Sequence, residues 1–241
     1  MITFNDLPFE IHHAIFMQLD LSSRLQFRAI NRYMAYFLQY VRLTMQIIVS
    51  NDDRNKFYYN LLTNISIEQL LDVYPKYLTH LTFGIYFDRD IRGEIPSSIT
   101  HLTFGRFFNK DIKDRIPNNV THLAFGYHFN HSIKNLPTSI THLTLGYYFE
   151  SELIFPSSIT HLTLNRITDE IIPQCITHLT LSRNIISASN YLENINITRL
   201  TAMIRNLPSN VTYLKLEFTR IYLVKHCIRD IVPSTITHLE Y

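Results

Sequence analysis

Apolar and polar positions over most of the chain repeat with a short period and a long one at the same time. In Ile99-Thr100-His101-Leu102-Thr103-Phe104-Gly105, Leu102 and Phe104 alternate with His101 and Thr103. Successive side chains of a strand point to opposite faces, so this alternation predicts a short half-buried strand with Leu102 and Phe104 inward and Ile99 joining them. The long period is the recurrence of Thr-His-Leu at Thr79, Thr100, Thr121, Thr141, Thr160, Thr177 and Thr237, with Thr-Tyr-Leu at Thr212. The first intervals are 21, 21, 20, 19 and 17 residues. Thr177 and Thr212 stand 35 apart, and Ile197-Thr198-Arg199-Leu200-Thr201 fits between them as a worn copy of the strand motif. Eight clear copies and one worn copy make this a repeat chain.

Other landmarks keep step with that period. Every proline except Pro8 lies four residues before a motif threonine, and every glycine except Gly93 lies five after one. Phe87, Phe108, Phe129 and Phe149 each lie eight after. Glycine is expected where a side chain would crowd the turn that ends the strand, and proline where the next strand is entered and a missing N–H does least harm. Phe108, Ile112 and Ile116 supply apolar anchors on a return path of about a dozen residues, long enough to bring the chain back for a parallel neighbour. Stacked copies then form a parallel solenoid of about eight or nine rungs over 75–241. Because the strand motif is kept as the repeat shortens, helical turns on the return path are expected to be brief or missing.

The N-terminal part has a different rhythm. Pro8 suits the first turn of a helix, and Leu7, Ile11, Ala14, Ile15 and Leu19 then fall at helical spacing. Ser22 and Asn31 cap two further short helices. Residues 1–45 thus read as a three-helix unit and the fold class as α+β. Three short helices bury too little apolar surface to stand comfortably alone, so a partner or a packing neighbour is expected. Residues 46–74 read as a mostly helical connector: Leu43, Met45, Ile47 and Val49 alternate as a lead-in strand, and Ser66-x-x-Gln69 is a capping-box pattern that opens a helix over Ile67 to Val73.

Two resemblances follow from these motifs. Leu7-Pro8-Phe9-Glu10-Ile11 with Ile15-Phe16, Leu19-Asp20-Leu21 and Ile30-Asn31-Arg32 resemble an F-box, with Met34 where many members carry tryptophan. The resemblance implies docking on the Skp-type adaptor of a cullin–RING ubiquitin ligase through Leu7, Pro8, Ile11, Ile15 and Ile30. The repeats resemble FNIP repeats, relatives of leucine-rich repeats: Phe108-Asn109 with Ile116-Pro117 spells the four letters across one unit. An F-box followed by such repeats is an architecture typical of amoebae and of large DNA viruses that infect them. It implies a substrate-recognition subunit that binds a target protein for ubiquitination. The alternative is a non-catalytic scaffold or sequestering protein whose N-terminal helices only cap the solenoid.

Composition narrows this further. A net charge of +2 is too small to imply a nucleic-acid or membrane surface. The N-terminus shows no secretory pattern and no stretch reaches the ~20 apolar residues of a membrane span, so cytoplasmic placement is expected (a host cytoplasm if the gene is viral), with Cys175 and Cys227 as reduced thiols. The histidines of the motif form a ladder on the outward face of the sheet. Metal binding wants about four converging ligands, and a linear ladder does not converge, so the ladder reads as stacked and hydrogen-bonded rows. Stacked imidazoles repel once charged, so stability is expected to fall toward pH ~6. No phosphate loop, nucleophile elbow or zinc-protease motif occurs, and no catalytic residue, metal or cofactor is expected. Just past each glycine the sequence varies between copies, and Tyr86, Arg106, Phe107, Tyr127, His128, Tyr147, Tyr148 and Arg166 are the candidate partner-binding residues on the concave, variable side.

Overall fold

A computed structural model describes residues 47–48, 64–91, 95–182, 197–218 and 228–241 of the 241-residue chain. Among them ten strands form one sheet in strict sequence order: β1 (Ile47–Ile48), β2 (Asn64–Ile67), β3 (His80–Phe83), β4 (His101–Thr103), β5 (His122–Ala124), β6 (His142–Leu145), β7 (His161–Leu164), β8 (His178–Ser182), β9 (Tyr213–Glu217) and β10 (His238–Glu240). Every pair is parallel. Each rung returns before adding the next strand, which makes a parallel β-solenoid. The N-terminal unit, including Leu7, Pro8, Ile11, Ile15 and Ile30, lies outside the described residues.

The register places like on like. His101 pairs with His122, Leu102 with Leu123, and the same match continues through β8. Leu81, Leu102, Leu123, Leu143, Leu162 and Leu179 form one buried column, and Phe83, Phe104, Phe125, Leu145 and Leu164 a second. Ile99, Val120, Ile140 and Ile159 close the near side. Phe108, Ile112 and Ile116 close the far side, so the inward positions expected for this repeat are buried, while Ile236 and Leu239 of the last copy are partly so. Each fully buried aliphatic or aromatic side chain is worth about 1.5–3 kcal/mol relative to exposure.

Between β3 and β8 the described return paths contain turns and no helix. The prolines open those turns and do not enter the strand. The carbonyl of Pro117 accepts the N–H of Val120 at 3.1 Å, and Pro96, Pro137, Pro156 and Pro173 repeat the bond with Ile99, Ile140, Ile159 and Ile176. The Pro117 ring thus sits at the first position of a β-turn.

Two expectations are corrected. The worn copy at 197–201 is not a strand: Ile197–Arg205 is a helix, α1, and β8 pairs directly with β9. Leu200, Met203, Ile204 and Leu207, at helical spacing, are the buried residues of this segment, and that packing outweighs the chance match to the strand motif. The capping-box helix over 67–73 is not formed either. Asn64–Ile67 is a strand with Ile65 and Ile67 buried in alternation, and the described residues of 46–74 hold strands and bends without a helix.

The glycine column is required by close approach. A Cβ on Gly105 would strike the carbonyl oxygen of Gly84, one on Gly126 that of Gly105, and one on Gly146 that of Gly126. These contacts are with backbone, which cannot swing aside. Replacing Gly126 by alanine is expected to lower stability by about 1–3 kcal/mol through overpacking, read as a fall in the urea midpoint; an unchanged midpoint would refute the close-approach account.

The outward face carries the histidine ladder. Rings from His80 to His178 stack at centroid separations of 4.0–4.1 Å. Each Nδ1 is 2.8–2.9 Å from the hydroxyl of the threonine before it. The hydroxyls of Thr100, Thr121, Thr141 and Thr177 also donate to the threonine carbonyl of the previous rung. Burial, and then the charge of neighbouring imidazoles, depresses His101 and His142 and takes His122 and His161 down to about 4. The unfolded chain therefore takes up protons near pH 6.5 that the folded chain refuses, so the ladder's contribution is intact above pH 6.5 and lost as pH falls toward 4. Each tenfold change in proton affinity corresponds to about 1.4 kcal/mol; with solvent screening of half-buried rings the total loss is on the order of 1–3 kcal/mol. The Tm should fall between pH 7 and pH 4.5, and a His122→Phe/His161→Phe variant should show a shallower slope; parallel slopes would refute this source.

Candidate partner-binding surface

The polypeptide leaves each of the strands β3 to β6 through a glycine and then runs two residues before turning inward at a phenylalanine. Those two residues are held in register by backbone bonds: the N–H of Phe107 donates to the Ile85 carbonyl at 3.1 Å, His128 to Arg106 at 3.0 Å, and Tyr148 to Tyr127 at 3.0 Å. Side chains at equivalent positions are therefore forced to stack. Tyr86, Phe107, His128 and Tyr148 form one row with centroids 5.5, 4.9 and 5.2 Å apart. Beside it runs a second row. The guanidinium of Arg106 lies 4.9 Å from the centre of the Tyr127 ring, and Tyr127 stacks on Tyr147 at 5.2 Å. Edge-on contacts of Tyr148 with Tyr127 and Tyr147 join the two rows.

This band is open to solvent. Tyr86 is 78% exposed, Ile85 56%, Tyr148 45% and Phe107 39%, so large apolar side chains are contiguous where a surface would ordinarily scatter them. It carries little charge: its cationic side chain, Arg106, is held over aromatic rings, a contact worth about 0.5–2 kcal/mol. Burial pushes the Tyr127 hydroxyl above the usual tyrosine range, reinforced by Tyr148 and Tyr147, so the band stays uncharged at this position.

Seven of the eight candidate residues thus come together. The eighth does not. Arg166 turns from the band to donate to the Phe149 carbonyl at 3.2 Å and pair with Glu150 at 3.1 Å. The band's position also differs from expectation. A shallow groove of about 290 Å³ does lie over the strand face, lined by His101, His122, His142 and His161 with Thr103 and Thr163. None of the seven residues lines it. They form a rim beyond the C-terminal ends of the strands, because the glycine turn carries the chain off the sheet before they occur.

Two further features were not foreseen from the repeat pattern. On the far side of the rungs, Asp88 accepts the N–H of Asn109 at 2.8 Å, Asn109 that of Asn130 at 3.0 Å, and Asn130 those of Glu150 and Ser151 at 2.8 and 3.1 Å. The available signal was an acidic or amide side chain directly after each phenylalanine. The second is a cavity of about 120 Å³ between Phe149 and Arg166, signalled by the loss of phenylalanine from the fifth copy.

The family model for the FNIP repeat matches residues 69–107, 108–148 and 129–166. Residues 69–166 carry FNIP repeats. Each letter of the repeat has a role in the geometry above: Phe108 joins a buried ring column, Asn109 caps the next rung, Ile116 is buried, and Pro117 opens the turn. No curated protein matches the chain. A solved structure that does match is the leucine-rich repeat-containing protein LegL7 from Legionella pneumophila, 22% identical, with 67% of this chain and 65% of that chain covered and a TM-score of 0.45. The chain therefore spans slightly less than two thirds of LegL7.

If the FNIP-repeat band is a binding surface and not a packing element, its rings are dispensable for folding. Phe107→Ala should change the Tm by less than about 3 °C, whereas Phe108→Ala in the buried column should cost about 3–5 kcal/mol. Equal losses by thermal unfolding would make the band structural.

Proposed function

We propose that this FNIP-repeat protein is the substrate-recognition subunit of a Skp–cullin–F-box ubiquitin ligase. The aromatic rim receives the target, and the N-terminal segment around Leu7, Pro8, Ile11, Ile15 and Ile30 holds the adaptor. The observation that carries the target-binding half is the solvent-open band of Tyr86, Phe107, His128 and Tyr148 on a rigid register. Exposed aromatic side chains held by a scaffold are the residues that dominate protein interfaces. The ligase half rests on the resemblance of residues 7–32 to an F-box. In this reading the chain performs no chemistry and works in the cytoplasm by holding target and ligase core together, which raises their effective concentration.

Affinity purification from amoeba lysate with mass spectrometry separates the two halves. Leu7→Asp/Pro8→Ala should lose the Skp-type adaptor and cullin but keep the target, and Phe107→Ala/Tyr148→Ala should do the reverse. Capture of a target by the folded wild-type protein without any adaptor would replace the ligase reading by a scaffold or sequestering role.

A further inference from the structure

The cavity beside Phe149 lies where the register would place a fifth phenylalanine. Phe87, Phe108, Phe129 and Phe149 form a buried stack with centroids 6.2–6.3 Å apart. The next residue in register, eight after Thr160, is Thr168. Its side chain is buried but short, and its hydroxyl is turned to accept the N–H of Glu170 at 3.0 Å. The stack therefore ends at Phe149 beside a cavity of about 120 Å³, in which the apolar side chains of Leu145, Phe149, Leu153 and Leu164 face polar ones that include Ser151, Thr168 and Glu170. A wholly apolar cavity on the order of 150 Å³ takes up a benzene ring, so the apolar side of this one has room for a single ring.

The mouth of the cavity is built differently from its floor. Arg166 and Arg199 stand there, paired with Glu150 and Asp169 respectively. Both arginines are neutralised in these pairs, and Glu170 adds a further carboxylate to the lining, which disfavours an anionic occupant. The cavity also begins where the exposed band stops. Tyr147 and Tyr148 lie in sequence between Gly146 and Phe149, both of which line it, and Arg166 occupies the band's next position. The exposed end of the ring stack at Phe149 and its place at the end of the band suit an aromatic side chain delivered by whatever lies along the band.

We propose that this berth is an anchor pocket for a phenylalanine side chain of the partner protein, inserted as the fifth ring of the stack. The proposal rests on the reading of the band as a protein-binding surface and is independent of the ligase assignment.

The probe is N-acetylphenylalanine amide, titrated into the full chain with labelled leucine methyl groups and followed by NMR. Saturable shifts are expected at Leu145, Leu153 and Leu164, with a Kd of roughly 1 mM for so small a ligand. N-acetylleucine amide should bind at least about fivefold more weakly, since an aliphatic branch cannot stack on the Phe149 ring. Thr168→Phe fills the berth from within: binding should vanish and the Tm should rise by roughly 2–4 °C. Thr168→Val should keep binding, and Leu153→Phe is a second filled variant should Thr168→Phe not fold. Absence of saturable shifts in the wild type, retention of binding in the filled variants, or equal affinity for the leucine probe would overturn the proposal. A pocket that takes no probe while Phe107→Ala/Tyr148→Ala still loses the target overturns the pocket alone; target retention by that variant overturns the band reading on its own terms.

Discussion

The structure depends on one constraint, the in-register parallel pairing of identical strand motifs. Parallel strands lie about 4.8 Å apart, so whatever a motif position carries is brought against its counterpart one rung away. Leucine meets leucine in the core, histidine meets histidine on the outer face, and glycine meets the carbonyl of glycine at the turn. Each position must therefore tolerate its own copy as a neighbour. Apolar side chains do so by packing. Imidazoles do so by remaining neutral, with each Nδ1 held by a threonine hydroxyl. Asparagine does so by capping the next rung's N–H, an arrangement that leaves no charge on the amide to repel its neighbour.

The same constraint explains where function can be placed. Positions that hold the register are committed to it: a change at Gly126 or Phe108 is felt by both adjoining rungs. The two residues between the glycine and the phenylalanine are released from packing but still held by rung-to-rung backbone bonds. Side chains there are displayed at fixed spacing and little cost to the fold. The band of Tyr86, Phe107, His128 and Tyr148 is what this chain displays. Where the display and the inner phenylalanine stack both break off, at Arg166 and Thr168, the surface changes texture and a cavity opens within reach of the band.

Much of this was legible in the sequence because the repeat states each position several times. The inward set, the need for glycine and the clustering of the variable aromatic residues all follow from one motif and its copies. Failures came where only one copy existed. Thr198-Arg199-Leu200-Thr201 matched the strand motif locally, yet Leu200, Met203, Ile204 and Leu207 also mark a helix, and burial of that helical face decided the outcome. Ser66 and Gln69 matched a capping box, but the edge of β3 offered Asn64–Ile67 a strand partner and burial for Ile65 and Ile67. Local patterns were outweighed by tertiary pairing in both cases. The offset of Arg166 from Thr160 puts it in the band's register, but its guanidinium pairs with Glu150 instead. The cavity was written in the sequence as a missing phenylalanine, an absence that periodicity shows only once the column is known.

The central claim is that the rim beyond the glycines, and not the histidine-lined groove on the sheet face, receives the partner. Site-specific photocrosslinking tests it most directly, with a benzophenone side chain placed at position 107 on the rim or at position 103 in the groove. The account predicts target adducts from position 107 and none above background from position 103. Adducts from position 103 alone would move the binding surface onto the ladder and contradict it.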